Sequence, residues 1–329
     1  MTRSRLWLTA LGLGLSAIAV VALLRSIDAS DAARHLATTR WGWFTAASLA
    51  TVAAYAFRSQ RWGEILSPHG RPPAGRLFSA TMIGFLAINT LPARIGELVR
   101  AYTLARTERI PTATVLGSVA VERILDLGAL GIFWSLSLLF APYPEWFRMS
   151  GYVTLLLGVV ILGTLWALHR FAGISWAEEE GMLLRWLPPR PRRALATAIP
   201  AFALGLRALQ RPRVLVRAAL GSGGVWFAQG IVFLFVAWSL GMKIPLWSPL
   251  LLAFVVSIGI MVPSSPGFVG VLEGACVVGL GLLGVGGAEG LAFGILYHAS
   301  QLLPLAVLGT WFAARTRVGP EVLGGQEQG

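Results

Sequence analysis

The hydrophobic residues of this chain form long blocks, separated by connections that are rich in arginine, glycine and proline. Uninterrupted blocks cover residues 6–24, 41–57, 112–141, 151–169, 214–240 and 291–313. A helix needs about 20 apolar residues to cross roughly 30 Å of hydrocarbon, and it satisfies its own backbone hydrogen bonds. The pattern therefore predicts an all-α polytopic membrane protein in which residues 1–329 form a single integral membrane domain.

Two further apolar regions, 77–105 and 247–286, are interrupted by polar and helix-breaking residues. The interruptions run from Leu91 to Glu97 and from Pro263 to Gly267. Each region is predicted to form either two short helices of a re-entrant hairpin or one distorted span. The two interruptions are similar in kind, which leaves an inverted repeat open as an interpretation.

The distribution of basic residues favours the hairpins. If the N-terminus is cytoplasmic and both interrupted regions return to the side they enter from, the cytoplasmic segments hold 19 of the 27 basic residues and the outside segments hold 5. That asymmetry follows the positive-inside rule, and making one interrupted region a full span would spoil it. We therefore predict six transmembrane helices plus two re-entrant hairpins, eight hydrophobic segments, in a prokaryotic inner membrane. Both termini, including a short tail at 314–329, are expected to be cytoplasmic.

The longest connection, residues 170–217, is strongly basic. Its apolar stretch 194–209 is predicted to be a helix lying at the cytoplasmic interface. The basic run is either a solvated loop near anionic lipid or a site for a partner protein. Because the arginines that give the net charge of +12 lie in such connections, the charge does not indicate nucleic-acid binding.

Charges inside hydrophobic blocks are costly and mark candidate sites. If a helix restarts at Pro92 after Asn89, then Arg94, Glu97 and Arg100 lie close to one helix face. A helix N-terminus within the membrane also offers free N–H groups and a positive dipole end. Two arginines beside it predict a phosphate site. A structural ion network among the same three side chains is the alternative.

A second charged cluster, Glu122, Arg123 and Asp126, lies inside the block 112–141. Glu122 and Asp126 share a helix face at spacing i, i+4. They are interpreted either as counter-charges for Arg94 and Arg100 or as a salt-bridge knot near the cytoplasmic end.

The second interrupted region adds further candidates. Ser265 is predicted to cap a helix that begins at Pro266, which places a second helix N-terminus in the membrane, with Glu273 two turns later. Other candidates lie in the last helix and at the end of the second span: Tyr297, His298, Gln301, Arg58 and Arg61. His298 is either a ligand or a packed residue, and the two arginines are either site residues or positive-inside anchors.

Enzyme motifs are absent from the sequence. It contains no Gly-rich phosphate loop, no G-x-S-x-G and no H-E-x-x-H, and its four histidines have no ligand spacing. One cysteine permits neither an intrachain disulfide nor a cysteine-based zinc site. We expect no catalytic residue, no metal and no cofactor.

Four segments occur in an order and at distances that resemble one known family. They are Arg61-Trp62, Asn89 to Arg100, Glu122 to Asp126, and Pro266 to Glu273. This pattern resembles the lysylphosphatidylglycerol synthase transmembrane family, also called flippase-like or UPF0104, over most of the chain. The resemblance implies a lipid-translocating membrane domain. Multiple-peptide-resistance-type members fuse it to a cytoplasmic domain that aminoacylates phosphatidylglycerol using charged tRNA.

This chain shows no counterpart of that fused domain, so we expect no lysyltransferase activity despite the family name. Members without the synthase look associated with glycolipid or polysaccharide assembly, which leaves the substrate open. We predict a flippase-like transporter of a phospholipid or lipid-linked headgroup. In it Arg94 and Arg100 hold the phosphate, while Glu97, Glu122 and Glu273 balance charge or bind a cationic headgroup.

Two alternative functions are compatible with the sequence. The chain is either an enzyme or enzyme subunit of lipid aminoacylation or glycolipid synthesis, or a scaffold that anchors a glycosyltransferase through residues 170–217. The expected partners are a membrane lipid, anionic or lipid-linked, and a separate synthase or glycosyltransferase.

Overall fold

The computed structural model describes residues 27–91, 95–140, 143–172, 189–261 and 264–316, with isolated positions between 14 and 25. For residues 162, 165–172 and 189–196 it describes the backbone alone. Within these ranges the regular elements are helices, and no strand is formed. They are α1 (Ala29–Ala37), α2 (Trp41–Leu66), α3 (Ala74–Thr90), α4 (Gly96–Glu108), α5 (Thr112–Ser137), α6 (Glu145–Ala172), α7 (Pro189–Gly205), α8 (Pro212–Ser239), α9 (Ser248–Met261), α10 (Val271–Gly281) and α11 (Gly287–Thr316).

The long helices follow the hydrophobic blocks, as expected of a helical membrane protein. Helices α2, α5, α6, α8 and α11 cover the blocks predicted after the first one, and the first, 6–24, falls almost entirely outside the described residues. In the described part, α8 and α11 are long and apolar enough to cross a membrane by length and composition. The all-α architecture agrees with the prediction, and the count of eight hydrophobic segments stays a prediction.

The first interrupted region is an antiparallel pair of helices, α3 and α4. Gly84 lies opposite Arg100, and four residues further along α3 Ile88 lies opposite Gly96. The backbones are so close that a Cβ on Gly96 would come within 2.3 Å of the Ile88 nitrogen. Helix α4 begins at Gly96 rather than at the predicted Pro92, and residues 92–94, with Arg94, lie outside the described residues.

The second interrupted region repeats this arrangement with α9 and α10. A Cβ on Gly259 would lie 2.5 Å from Ala275 Cβ, and one on Gly279 would lie 3.6 Å from Val255 Cβ, so these two helices are also antiparallel. The prediction of a helix that starts at Pro266 needs correction, because α10 begins at Val271.

The tip of this second pair is a single 3-10 turn, Pro266–Phe268, and Ser265 makes no capping hydrogen bond there. Gly267, Phe268 and Gly270 all have positive φ, a backbone conformation that no α-helix contains. A positive φ is rare for a phenylalanine and marks a strained segment of the kind that gathers at functional sites.

The tip of the second pair packs against the first pair. A Cβ on Gly267 would lie 3.5 Å from the Asn89 carbonyl oxygen, so the turn of the second pair contacts the end of α3. Around them, α2 packs along α8, and α11 packs against α2, α3 and α10. The fold thus places the second break against the end of α3, which precedes the first break.

The basic connection 170–217 contains more helix than predicted. The described part forms α7 and a 3-10 turn, Leu206–Gln210, in place of an apolar helix limited to 194–209. Gly205 approaches Thr114 so closely that a Cβ would lie 2.1 Å from its carbonyl oxygen, and the Thr114 hydroxyl donates to the Ala201 carbonyl at 2.8 Å. This connection is therefore anchored to α5.

Candidate functional site

Four charged side chains form a buried ion layer, which we define as Arg61, Arg100, Glu122 and Asp126. Arg61 donates from Nη2 to Glu122 Oε1 at 2.9 Å and from Nη1 to Asp126 Oδ1 at 2.7 Å. Arg100 Nη1 lies 2.9 Å from Glu122 Oε2. The spacing of Glu122 and Asp126 on α5 lets the planar fork of Arg61 reach both carboxylates, which a lysine could not do.

Neighbouring side chains hold this layer in place. Arg61 Nη1 also donates to Ser222 on α8, and the Arg100 guanidinium lies 3.8 Å from the centre of the Trp62 ring. Trp62 is fixed in turn by a hydrogen bond to Ser118. Burying charges is expensive unless each is paired and hydrogen-bonded, so such a layer is maintained only by converging helices. The buried ion layer ties α2, α4, α5 and α8 together.

A second group of charges lies beside the layer, and we call it the cavity-facing trio: Arg58, Glu97 and Arg123. Arg58 Nη1 is 3.4 Å from Glu122 Oε1 and 3.3 Å from Asp126 Oδ2, further than the contacts of Arg61 with the same carboxylates. Arg123 reaches Asp126 at 3.2 Å and Glu97 at 3.3 Å. The side chain of Arg123 is 39% exposed and that of Arg58 is 16% exposed, whereas Arg61 is fully covered.

The described cluster is not electrically neutral. It contains four arginines, Arg58, Arg61, Arg100 and Arg123, against the three carboxylates of Glu97, Glu122 and Asp126. Both arginines of the cavity-facing trio contact the same oxygen, Asp126 Oδ2. Because these contacts are long and shared, the carboxylate neutralises each arginine only in part. The excess positive charge therefore lies on the exposed side of the cluster.

That side opens into a cavity of about 200 Å³ between the two helix pairs. The first pair contributes Asn89 and Glu97, and the second contributes Ser257 and Phe268. The cavity is smaller than the roughly 300–1,000 Å³ of sites for drug-sized ligands. Its size suits a headgroup better than a whole lipid. Further lining residues are Thr51, Arg58, Phe85, Arg123, Trp226, Gln229, Phe233, Tyr297 and Gln301.

The part of the cavity away from the arginines is lined by neutral polar groups in hydrogen-bonded pairs. Gln229 Nε2 donates to the Tyr297 hydroxyl at 3.0 Å, and Gln301 Nε2 donates to the Thr51 hydroxyl at 3.1 Å. The ring of Tyr297 is stacked on Phe233 with centroids 4.7 Å apart. These hydrogen bonds fix the orientation of the side chains in the cavity wall.

Glu273 and His298 form a separate buried pair. His298 Nδ1 lies 2.6 Å from Glu273 Oε1, and Glu273 Oε2 accepts the Gly270 N–H at 2.7 Å. The carboxylate therefore occupies the N-terminus of α10, where an anion-binding helix end was expected from the sequence. Of the described lining residues none belongs to this pair, so Glu273 and His298 act through the position of the second tip rather than through direct contact with the cavity.

A second cavity, of about 440 Å³, lies on the other side of the buried ion layer. Arg58 lines the first cavity and Arg61, one helical turn along α2, lines the second. The second cavity also contains Gln60, Glu64, Arg71 and Arg217. The buried ion layer therefore lies between two cavities that each contain charged side chains.

Several sequence candidates converge on this site, and others do not. Asn89, Glu97, Arg123, Tyr297, Gln301 and Arg58 line the first cavity, whereas Arg100, Glu122, Asp126 and Arg61 belong to the layer behind it. Gln229 and Trp226 were not anticipated. A lone amide inside the apolar block 214–240 is the signal that could have indicated Gln229, since polar residues in membrane helices are functional candidates.

No group of three or more histidine, cysteine, aspartate or glutamate side chains with metal-binding geometry occurs among the described residues. The described lining consists of arginine, carboxylate, amide, hydroxyl, aromatic and aliphatic side chains. Such groups can hold a ligand by charge and hydrogen bonds.

Comparison with known proteins matches most of the chain. Over 322 residues the chain is 29% identical to a protein named Glycosyltransferase AglD from Haloferax volcanii, covering 88% of this chain and 51% of that protein. The chain thus spans about half the length of this curated relative. Residues 9–309 match the family described as Lysylphosphatidylglycerol synthase TM region, which confirms the resemblance that the sequence motifs indicated. This chain belongs to the family of the lysylphosphatidylglycerol synthase transmembrane region.

Proposed function

We propose that this protein is a flippase-like transporter that moves the phosphate-bearing headgroup of a membrane lipid between the two leaflets of a prokaryotic inner membrane. The observation that carries the proposal is the excess positive charge of the cavity-facing trio, in the cavity between the two helix pairs. A phosphate binds well to paired arginines in a site partly shielded from water. Acyl chains would remain in the bilayer while the headgroup occupies the cavity.

This assignment differs from the one that the sequence motif favoured, in which Arg94 and Arg100 hold the phosphate. Arg100 is covered and paired with Glu122, so its charge is already used within the buried ion layer. Arg58 and Arg123 are the described arginines that line the cavity, and we assign the phosphate to them. Arg94, outside the described residues, stays a proposed third ligand because it lies only two residues before α4.

Passage of the headgroup requires a route past the buried ion layer. In the orientation proposed from the positive-inside rule, the cavity with Arg71 and Arg217 opens on the cytoplasmic side. The cavity-facing trio then lies on the side of the layer away from the cytoplasm. A headgroup would then bind on one side, and Arg58 would exchange its long contacts with Glu122 and Asp126 for the phosphate. This substitution lowers the cost of separating the ion pairs.

The test is headgroup translocation by the purified chain in proteoliposomes, measured with headgroup-labelled lipids and a membrane-impermeant quencher. Wild-type protein, the Arg58→Gln/Arg123→Gln variant and the control Arg76→Gln should be compared. Arg76 is an exposed arginine whose pair with Glu108 closes the open end of the first helix pair. We expect the double variant to lose translocation of phosphate-bearing lipids by about tenfold or more, as two charge-assisted contacts disappear.

Unchanged translocation by a folded double variant would contradict the assigned phosphate site. The name of the similar Haloferax volcanii protein favours one second candidate, in which the chain serves a glycosyltransferase as membrane subunit or scaffold. Absence of translocation by folded wild-type protein for every phosphate lipid, together with co-purification of such an enzyme, would favour that second function.

A further inference from the structure

The cavity contains more chemistry than a phosphate requires. Its arginines occupy one end, and at the other end Thr51, Gln229, Tyr297 and Gln301 supply amide and hydroxyl groups. Thr51 precedes Arg58 by seven residues on α2, a rise of roughly 10 Å along a helix. The neutral groups therefore lie far enough from the arginines to contact the group attached to a phosphate rather than the phosphate itself.

Unused hydrogen-bonding capacity defines what this end can bind. The Gln229–Tyr297 and Gln301–Thr51 bonds each use one amide hydrogen, so the two amide oxygens and the Tyr297 hydroxyl hydrogen stay available for a ligand, while the fully buried Thr51 hydroxyl positions Gln301. Trp226, which lines the same cavity, has its indole N–H buried with no hydrogen-bond partner in the described part of the chain. A ligand with several hydroxyl groups can both donate to and accept from such a set.

The charges exclude a cationic headgroup at this end. Glu97 is the acidic side chain among the described lining residues, and it lies 3.3 Å from Arg123 Nε. Glu122 is covered by three arginines, and Glu273 is held by His298 and the Gly270 N–H. A lysyl or other ammonium group would therefore meet no free carboxylate in this cavity.

Aromatic rings complete the walls. Trp226, Phe233 and Phe268 line the cavity together with the neutral polar groups, and Phe85 lies at the arginine end, 5.3 Å from the Arg58 guanidinium. The C–H face of a sugar ring packs on aromatic faces, while its hydroxyls need amide and hydroxyl partners at the edge. This combination of aromatic walls and uncharged hydrogen-bonding groups next to a phosphate site is the composition that a sugar phosphate requires.

We propose that the headgroup bound here is a neutral sugar joined to a phosphate, with the phosphate on Arg58 and Arg123 and the sugar hydroxyls on Gln229, Tyr297 and Gln301. This proposal rests on the proposed function, because the phosphate site is shared. The same chemistry is present in a lipid-linked phosphosugar and in a free sugar phosphate, and the lipid-linked form is the one that the membrane setting favours.

The experiment measures binding to the purified full chain in nanodiscs for five probes. They are a polyprenyl phosphohexose, bare polyprenyl phosphate, phosphatidylglycerol, lysylphosphatidylglycerol and free hexose phosphate. Wild-type protein should bind the polyprenyl phosphohexose about tenfold more tightly than bare polyprenyl phosphate, an increase that two to three neutral hydrogen bonds provide.

Variants then separate the sugar end from the phosphate end. Tyr297→Phe keeps the ring stacked on Phe233 and removes only the hydroxyl, and Gln229→Leu removes its partner amide. Both should lose most of the preference for the phosphohexose while binding of bare polyprenyl phosphate stays within about twofold, since the arginines are untouched. Gln60→Leu, the same substitution at an exposed position of the second cavity, should retain the preference.

Each contrary result has a distinct meaning. Equal binding of bare and glycosylated polyprenyl phosphate, or tighter binding of lysylphosphatidylglycerol, would overturn the sugar assignment and leave the phosphate site standing. Equal binding of free hexose phosphate would overturn the lipid-linked source. Failure of every phosphate probe to bind folded protein would contradict the proposed function itself.

Discussion

The buried ion layer and the cavity-facing trio use the same residue types on the same helices, yet their surroundings differ. Arg61 and Arg58 are one turn apart on α2, and Arg61 is fully covered with short contacts to two carboxylates. Arg58 reaches the same carboxylates only at 3.3–3.4 Å and lines a cavity. The charged residues of these helices therefore fall into two groups. The groups differ in how far the side chains are buried and in the distance to their ion-pair partners.

Removing one charge from the layer should have the largest effect. Glu122→Gln would remove the carboxylate that Arg100 contacts in the layer. Arg61 would keep Asp126, and both arginines would stay buried. Breaking a buried pair on one side costs about 3–5 kcal/mol, so we expect loss of folded protein or a steep fall in melting temperature. The melting temperature is measured by heating the protein and quantifying the remaining folded fraction by size-exclusion chromatography. Glu97→Gln, from the cavity-facing trio, is the matched control. Equal stability of the two variants would remove the distinction between the regions.

Changing the geometry of a charged group within the layer, with its charge kept, should reduce stability by an intermediate amount. Arg61→Lys retains the charge but cannot bridge Glu122, Asp126 and Ser222 at once. A loss of about 1.5–3 kcal/mol in unfolding free energy follows from the missing charge-assisted hydrogen bond. Arg58→Lys is the comparison, and its melting temperature should stay close to wild type. A stable Arg61→Lys variant would show that the fork geometry is not required.

A charge change within the trio should alter binding rather than stability. Glu97→Gln removes the partner 3.3 Å from Arg123 and increases the positive excess that faces the cavity. Binding of a bare polyprenyl phosphate in nanodiscs should tighten by about two- to tenfold, consistent with one surface-type ion pair released for the ligand. Weaker binding would mean that Glu97 positions Arg123 rather than competing with the phosphate.

The smallest effect is expected at an exposed pair outside both regions. Arg217 and Glu64 lie 3.8 Å apart, with side chains 58% and 36% exposed. Solvent-exposed pairs contribute about 0–1 kcal/mol, so Arg217→Gln should leave the melting temperature nearly unchanged. A large loss of stability here would show that the second cavity depends on this pair more than its exposure suggests.

Much of the architecture follows from local sequence features. The hydrophobic blocks after the first one correspond to long helices, and both interrupted regions contain the expected breaks. Helix starts were less accurate, because α4 and α10 begin at Gly96 and Val271 rather than at the prolines before them. Proline is compatible with a first helical turn but does not force one, and three positive φ values at the second tip prevented it.

The residues of the candidate site could be predicted only in part from local sequence features. Intramembrane charges are rare, so Glu97, Arg100, Glu122 and Arg123 stood out from composition alone. Their division into a covered layer and an exposed trio did not, since it depends on which helices pack together. Arg100 is covered because α3 and α4 approach at Gly84 and place its guanidinium against Trp62.

By itself, the sequence determined an all-helical membrane protein with two broken, charged regions and the family to which it belongs. These properties follow from hydrophobic length, helix-breaking residues and motif order, which are local along the chain. The tertiary structure decided which charges neutralise each other, which face the cavity, and that Gln229 and Thr51 join them there. Burial, and the distances between residues far apart in sequence, arise only from packing. In a low-dielectric interior they determine whether a charge stabilises the fold or is left available to bind a ligand.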